Sequence, residues 1–269
     1  MIFNKYRILI TGASSGIGRD LALKLAGEGA DLILTARRKS LLVELEKAIR
    51  QKNGSEKANV FFIAGDITDP EVQKSCLDSA MEKFGGLDCL INNAGVGATA
   101  LIEATDDDLA RRLMDVNYFS ALSLTRFAIP MLRKSAQEKK RSQPPMIVFL
   151  SSVVGFRGVP HYGAYGAAKF AVTGLSEAVR AELLCDGIEV LLVSPGTTKT
   201  EFFDSLLQSS SQPNMPKHRM VSSESVAGQI VSAMKKRKKR VIPYFQARIL
   251  YYLNRAFPGL ADRILARYK

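Results

Sequence analysis

Tyr6-Arg7-Ile8-Leu9-Ile10-Thr11-Gly12-Ala13-Ser14-Ser15-Gly16-Ile17-Gly18 joins an apolar run to a cluster of three glycines. Residues 6–10 read as a buried strand, and a helix opens at about Gly16 and runs to 28. Glycine admits positive φ and lets the backbone approach a phosphate closely. A helix that starts there points unpaired N–H groups and the positive end of its dipole at the same spot. Strand, turn and helix in this order predict a cradle for the pyrophosphate of a dinucleotide. The first gap holds three residues, unlike the single residue of the common GxGxxG spacing.

The same alternation continues outward. Strands are expected over 31–35, 60–64, 87–91, 146–150 and 188–193, with a short edge strand at Val241 and Ile242. Helices are expected over 39–52, 70–84, 106–133, 163–186, 223–237, 245–257 and 260–268. Residues 137–145 read as a loop, and a short helix is expected near 202–207. The strands are apolar on both faces, as in a parallel sheet covered by helices on each side. With no internal repeat and no long linker, the chain reads as a single doubly wound α/β domain of the Rossmann-like kind.

Composition narrows the function. Hydrophobic residues make up 46% of the 269, enough for a sizeable core. Three scattered cysteines argue against a disulfide scaffold, and two histidines against a histidine-built metal site. Residues 1–10 hold no signal-like apolar core and no segment is long enough to span a bilayer, so a reducing, cytoplasmic setting is expected. The net charge of +12 is uneven: residues 233–269 carry eleven Lys/Arg against Asp262 alone, hence +10, leaving +2 for the rest. A charge-selected partner would have to act on that tail.

The end of the second strand selects the cofactor. An acid there would hold the ribose hydroxyls of NAD, whereas a base holds the 2′-phosphate of NADP. Here Thr35-Ala36-Arg37-Arg38 offers no acid, and Arg37 presents a planar, permanently charged fork for phosphate. Tyr165 and Lys169 lie four apart in a helical stretch and share a face. A nearby ammonium, with a cationic nicotinamide, would bring the phenol pKa down and make it an acid/base near neutrality. Ser152 follows the fifth strand, where its hydroxyl can reach a substrate oxygen. Asn117 precedes that strand, while Asn92–Gly95 and Pro195-Gly196 close the fourth and sixth.

These pieces, with Asp66-Ile67 and Thr200, stand in the order and at the separations of the short-chain dehydrogenase/reductase family, which the chain resembles from residue 6 to about 200. The resemblance implies a seven-stranded parallel sheet in the order 3-2-1-4-5-6-7, an NADP(H)-dependent hydride transfer to or from a carbonyl or alcohol carbon, and a homodimer or homotetramer. It implies Tyr165 as acid/base, Lys169 as the group that lowers its pKa and holds the ribose, Ser152 as the carbonyl partner and Asn117 as support for a water relay. The implied cofactor site comprises Gly12, Ser14, Ser15, Gly16, Ile17, Gly18, Arg37, Arg38, Asp66, Ile67, Asn93, Ala94, Gly95, Tyr165, Lys169, Pro195, Gly196 and Thr200. Ser151 and Tyr162 are neighbouring candidates, but the family's separation of thirteen residues favours Ser152 and Tyr165. Some NADP-using members carry a base just before the second glycine. Here that place is Ser15, so Arg37 carries the discrimination with Ser14 or Arg38 helping.

Residues 197–221 hold Phe202, Phe203, Leu206, Leu207, Met215 and Met220 among polar residues, and in this family they imply a substrate lid. His161 and Tyr162 are expected at the pocket edge. Residues 1–243 form the expected catalytic domain and 244–269 a basic amphipathic extension. That extension suits an anionic membrane surface, a neighbouring subunit, or simple packing on the core. Family members with comparable tails handle lipids or steroids, so a lipid-like substrate is expected. A non-catalytic NADP(H)-binding sensor predicts a broken tetrad, and all four positions are filled. Nucleic-acid binding through the basic run 235–240 lacks interleaved aromatics for base stacking. An epimerase or dehydratase would need a larger substrate domain.

Overall fold

The computed structural model describes residues 2–53, 59–138, 143–202, 206–209 and 220–268. Seven strands form one parallel sheet: β1 (Arg7–Thr11), β2 (Asp31–Ala36), β3 (Val60–Ala64), β4 (Cys89–Asn92), β5 (Met146–Leu150), β6 (Glu189–Val193) and β7 (Arg240–Val241). Their order is β3-β2-β1-β4-β5-β6-β7, the implied one. Ile33, Leu9, Leu90, Ile147 and Val190 stand in register across five strands. Side chains alternate along a strand, so this row packs on one face while Ile8, Ile10, Leu32, Leu34 and Leu191 pack on the other.

Helices α1 (Gly16–Gly27), α2 (Lys39–Asn53), α3 (Pro70–Phe84), α4 (Asp107–Met114), α5 (Ser120–Ala136), α6 (Gly163–Glu182) and α7 (Ser223–Lys235) follow the strands. Asp69 caps α3 from its side chain and Pro70 opens it, while Gly85 in the left-handed region ends it. The expected helix over 106–133 is instead two helices joined by a π turn, Asp115–Phe119. Asn117 Nδ2 donates to Leu113 O, and Ser120 Oγ to Val116 O, competing for carbonyls within that turn. The helix expected over 163–186 ends at Glu182, before Gly187 at φ 68°.

Two further helices, α8 (Phe245–Ala256) and α9 (Pro258–Leu265), complete the chain. The helix expected near 202–207 falls partly on residues 203–205, which lie outside the described residues, as do Phe203 and Met215. The described part, 206–209, is not helical: Leu207 N donates to Gly97 O and Thr99 N to Gln208 O. Gly97 permits this, because a Cβ there would lie 2.4 Å from Phe202 Cζ. The loop expected over 137–145 is partly undescribed at 139–142; residues 143–145 are neither helix nor strand.

Beneath the sheet's N-terminal edge, Arg7 and Asp88 form a buried pair, with Nε and Nη2 donating to the two carboxylate oxygens at 2.9 and 2.6 Å. Ser135 Oγ donates to the same carboxylate. The pair ties β1, the turn before β4 and the end of α5. Removing one partner of a buried pair leaves an uncompensated charge. Asp88→Ala is expected to destabilise the fold by about 3–5 kcal/mol, read as a lowered midpoint in equilibrium urea unfolding. A loss below about 1 kcal/mol would mean that the pair behaves as a solvated one.

Candidate active site

In a fully parallel sheet every strand ends at the same edge, and here β1, β2, β4, β5 and β6 open into one cleft of about 430 Å³. The glycine turn sits at the sheet's reversal between β1 and β4, where ligands bind in open α/β folds. Gly12 and Gly16 have φ of 65° and 54°. A Cβ at Gly18 would lie 2.4 Å from Gly12 O and 2.5 Å from Asn93 Nδ2, so the space is closed to any side chain. Asn93 Nδ2 donates to Thr11 O and Gly12 O, and Thr11 Oγ1 accepts from Asn93 N and Ala94 N. Ser15 precedes α1 without capping it, and the first turn carries no acid, so the N–H groups there are left for an anion.

Both arginines after β2 line the cleft, but Arg38 is the one folded over the turn. Its guanidinium donates to Ser15 Oγ at 2.7 Å, to Ser14 Oγ at 3.4 Å and to Glu201 at 2.7 Å. Sequence reasoning put the weight on Arg37; the fold gives Arg38 the contacts. Asp66 is held by Thr68 and Arg112. Burial works against its carboxylate, yet the Thr68 N–H and the Arg112 guanidinium hold it below the usual range.

At the other end of the cleft, Tyr165 shares a hydrogen bond with the Ser152 hydroxyl. Ser151 is committed elsewhere, donating to Lys169 O and meeting Thr173 Oγ1, which separates the two serines. Tyr162 also lines the cleft, with its ring centroid 6.5 Å from that of Tyr165. His161 is buried beside a separate crevice with Ala98, Ala100 and Leu109 rather than in the main cleft. Lys169 Nζ donates to Leu150 O at 3.1 Å, and burial brings its pKa down to about 8. Burial pushes the Tyr165 phenol up, the Ser152 hydrogen bond opposing it and Tyr162 adding to it. Lys169 Nζ spends its hydrogen bond on the Leu150 carbonyl and lies 5.8 Å from the Tyr165 ring centroid. Asn117 does not line the cleft but sits just behind Gly95. Its Oδ1 is buried without a hydrogen-bond partner, and a Cβ at Gly95 would lie 2.7 Å from that oxygen and 3.1 Å from Lys169 Nζ.

The short chain dehydrogenase family model matches residues 6–211. The chain is 31% identical over 266 residues to dehydrogenase/reductase SDR family member 7B of Mus musculus, covering 96% of this chain and 80% of that protein. It belongs to the short-chain dehydrogenase/reductase family.

It is also 36% identical over 195 residues to 11-beta-hydroxysteroid dehydrogenase A of Sesamum indicum, covering 72% of this chain and 53% of that one. A short-chain dehydrogenase from Sphingobium yanoikuyae in complex with NADPH superposes with a TM-score of 0.78 at 28% identity, over 96% of this chain and 95% of that one. One from Burkholderia phymatum in complex with NAD shares the fold, with a TM-score of 0.84 at 23% identity over 97% and 96%. This short-chain dehydrogenase/reductase is thus a hydride-transfer oxidoreductase that uses a nicotinamide cofactor.

Its residues fit that group: a glycine cradle closed to side chains, open helix N–H groups, and the orphaned Asn117 Oδ1 beside Lys169. When bound, the nicotinamide supplies or accepts the hydride. Tyr165, Ser152 and Lys169 line the same cleft as the glycine turn. Several cleft residues escaped the sequence reading. Arg112 gave no motif, and Leu250 and Leu265 come from α8 and α9, far along the chain.

Lys169 offers a pH test. Between about 8 and 10.5 the unfolded chain holds its proton and the folded chain does not, so this group makes the fold more stable as pH rises through that window. The melting temperature of wild type minus that of Lys169→Met is expected to rise with pH there and to be flat below it. A difference that stays flat throughout would place the Lys169 pKa at its ordinary value.

Proposed function

We propose that the chain is an NADP(H)-dependent oxidoreductase interconverting an apolar, lipid-like carbonyl and alcohol, met at a membrane surface. The observation that carries the cofactor choice is Arg38 bridging Ser14 and Ser15 at the mouth of the glycine turn, with no acid at the end of β2. A guanidinium there suits a 2′-phosphate in bidentate, charge-assisted geometry, whereas a ribose diol is better held by a carboxylate that accepts from both hydroxyls. Arg37, also exposed on the cleft, adds charge to the same end. The acceptor end supports an apolar substrate: Val154, Val159, Phe202 and Leu265 cluster with Tyr165, and Leu250 lines the same cleft. Phe202 reaches in from the segment after Pro195-Gly196, its ring centroid 5.7 Å from that of Tyr165. Thr198–Lys199 pairs with Val221–Ser222 at the two ends of that segment, and residues 207 and 208 bond to Gly97 and Thr99. Exposed Phe119, Phe127 and Phe170 on the π turn, α5 and α6 support self-association.

Fluorescence titration of NADPH and NADH tests the cofactor choice. Wild type is expected to prefer NADPH, and Arg38→Ala to weaken NADPH by at least about tenfold, roughly 1.4 kcal/mol, with NADH unchanged. Equal binding of both cofactors by wild type would overturn the NADP(H) reading.

Tyr165→Phe removes the proton donor and leaves the cradle intact. It is expected to bind NADPH normally and to lose about 10²–10⁴-fold in turnover of an apolar ketone. Retained turnover would move the acid elsewhere.

A further inference from the structure

The two C-terminal helices have two distinct sides. At about 100° per residue, Ala247, Leu250 and Asn254 fall on one side of α8, and Phe245, Ile249, Tyr252 and Ala256 on the other. The first side is held to the catalytic loop. Arg157 donates to Asn254 Oδ1 and pairs with Asp262, Asn254 Nδ2 donates to Phe156 O, and Tyr251 packs edge-on against Phe156. Leu250 and Leu265 reach the cleft, and Leu265 joins the cluster containing Tyr165 and Phe202. Just before α8, Tyr244 covers Gly196, where a Cβ would lie 2.8 Å from its ring.

The second side is bare. Phe245, Tyr252 and Phe257 are 68%, 69% and 62% exposed, and Ile249 and Leu260 are about half exposed. The turn between the helices, Ala256-Phe257-Pro258-Gly259-Leu260, is exposed throughout and carries no charge. Arg248, Arg255, Arg263 and Arg267 are exposed along the same helices. The sole acid of residues 233–269, Asp262, is taken by Arg157 on the inner side. An apolar ridge beside unopposed cations is complementary to a surface that is apolar below and anionic above. A second copy of this chain would have to bury those like charges against each other.

We propose that α8 and α9 form a two-sided cap. Its outer face rests on an anionic bilayer, with the Phe257–Leu260 tip in the acyl boundary, while its inner face walls the acceptor end of the cleft. An apolar acceptor then passes from lipid to Tyr165 along the cap. The acceptor route rests on the oxidoreductase reading; the docking face does not.

Co-sedimentation of the full chain with phosphatidylcholine vesicles containing phosphatidylserine tests the face. Wild type is expected to sediment, to be released by raised salt, and to bind phosphatidylcholine alone weakly. Phe257→Ser with Leu260→Ser is expected to cut binding by at least about tenfold, and Arg263→Glu to reduce it independently. Equal sedimentation of wild type and both variants overturns the proposal. So does wild type that ignores vesicles but forms a dimer that F257S/L260S abolishes, which assigns the face to a second copy. NADPH titration of the same samples reports separately on the cofactor site and confirms that the variants fold.

Discussion

The contact between the glycine turn and the Asn93-Ala94 backbone holds the site together. Gly12 must take positive φ, Gly18 must lack a Cβ, and Asn93 must bond two carbonyls of the neighbouring loop. These conditions are one condition seen from two strands. β1 and β4 pair in register, so their loops leave the sheet side by side and meet with no room for a side chain between them. The bonds to Thr11 and Gly12 consume Asn93's donors, and Thr11 in turn satisfies two N–H groups of the opposing loop. The Asn93 amide and the Thr11 hydroxyl are thus both engaged across the two loops, and the cradle is set before any ligand arrives. Displacement of either loop would shift Gly95 as well, and with it the space shared by Asn117 and Lys169.

Burial acts on the other half of the cleft in a different way. Tyr165 and Lys169 are four residues apart on α6, and both are taken out of water by the helices and loops above them. Desolvation disfavours the phenolate and the ammonium alike, so it pushes the tyrosine up and the lysine down. Burial thus keeps the proton on the phenol, while Lys169, at about 8, still carries its charge at neutral pH. That arrangement suits proton donation to a carbonyl oxygen, the step that accompanies reduction.

How far the sequence could be read follows from which interactions are local. The glycine turn, the alternating strands and the Tyr165–Lys169 spacing are short-range patterns, and the fold places each in or against the cleft. Ser152 over Ser151 could be argued only through resemblance; the physical reason is that Ser151 is turned under α6 to Lys169 O. That Arg38 folds onto Ser15 and Glu201 depends on where those residues sit in space, and no spacing rule reports that. The π turn arises from two side chains bidding for carbonyls within one helix, a competition that leaves the apolar periodicity intact. Helical spacing likewise gives Tyr165 and Lys169 a shared face, but not the bond from Lys169 Nζ to Leu150 O.

The same distinction explains the tail. Its helical spacing and charge are plain in the sequence, but amphipathicity alone does not say which side is covered. The fold answers this with polar contacts: Arg157 and Asn254 orient α8, and Arg157 with Asp262 orients α9, so both present Leu250 and Leu265 inward. One basic residue in the loop after Ser152 thereby joins the catalytic segment to the chain's last helices. Facing the other way, α8 would lose both Asn254 bonds to the loop after Ser152, and Ala247, Ala261 and Leu265 would lose their burial. A partly solvated ion pair alone contributes little, so the Asn254 bonds and the burial of those small apolar side chains together set which way the cap faces.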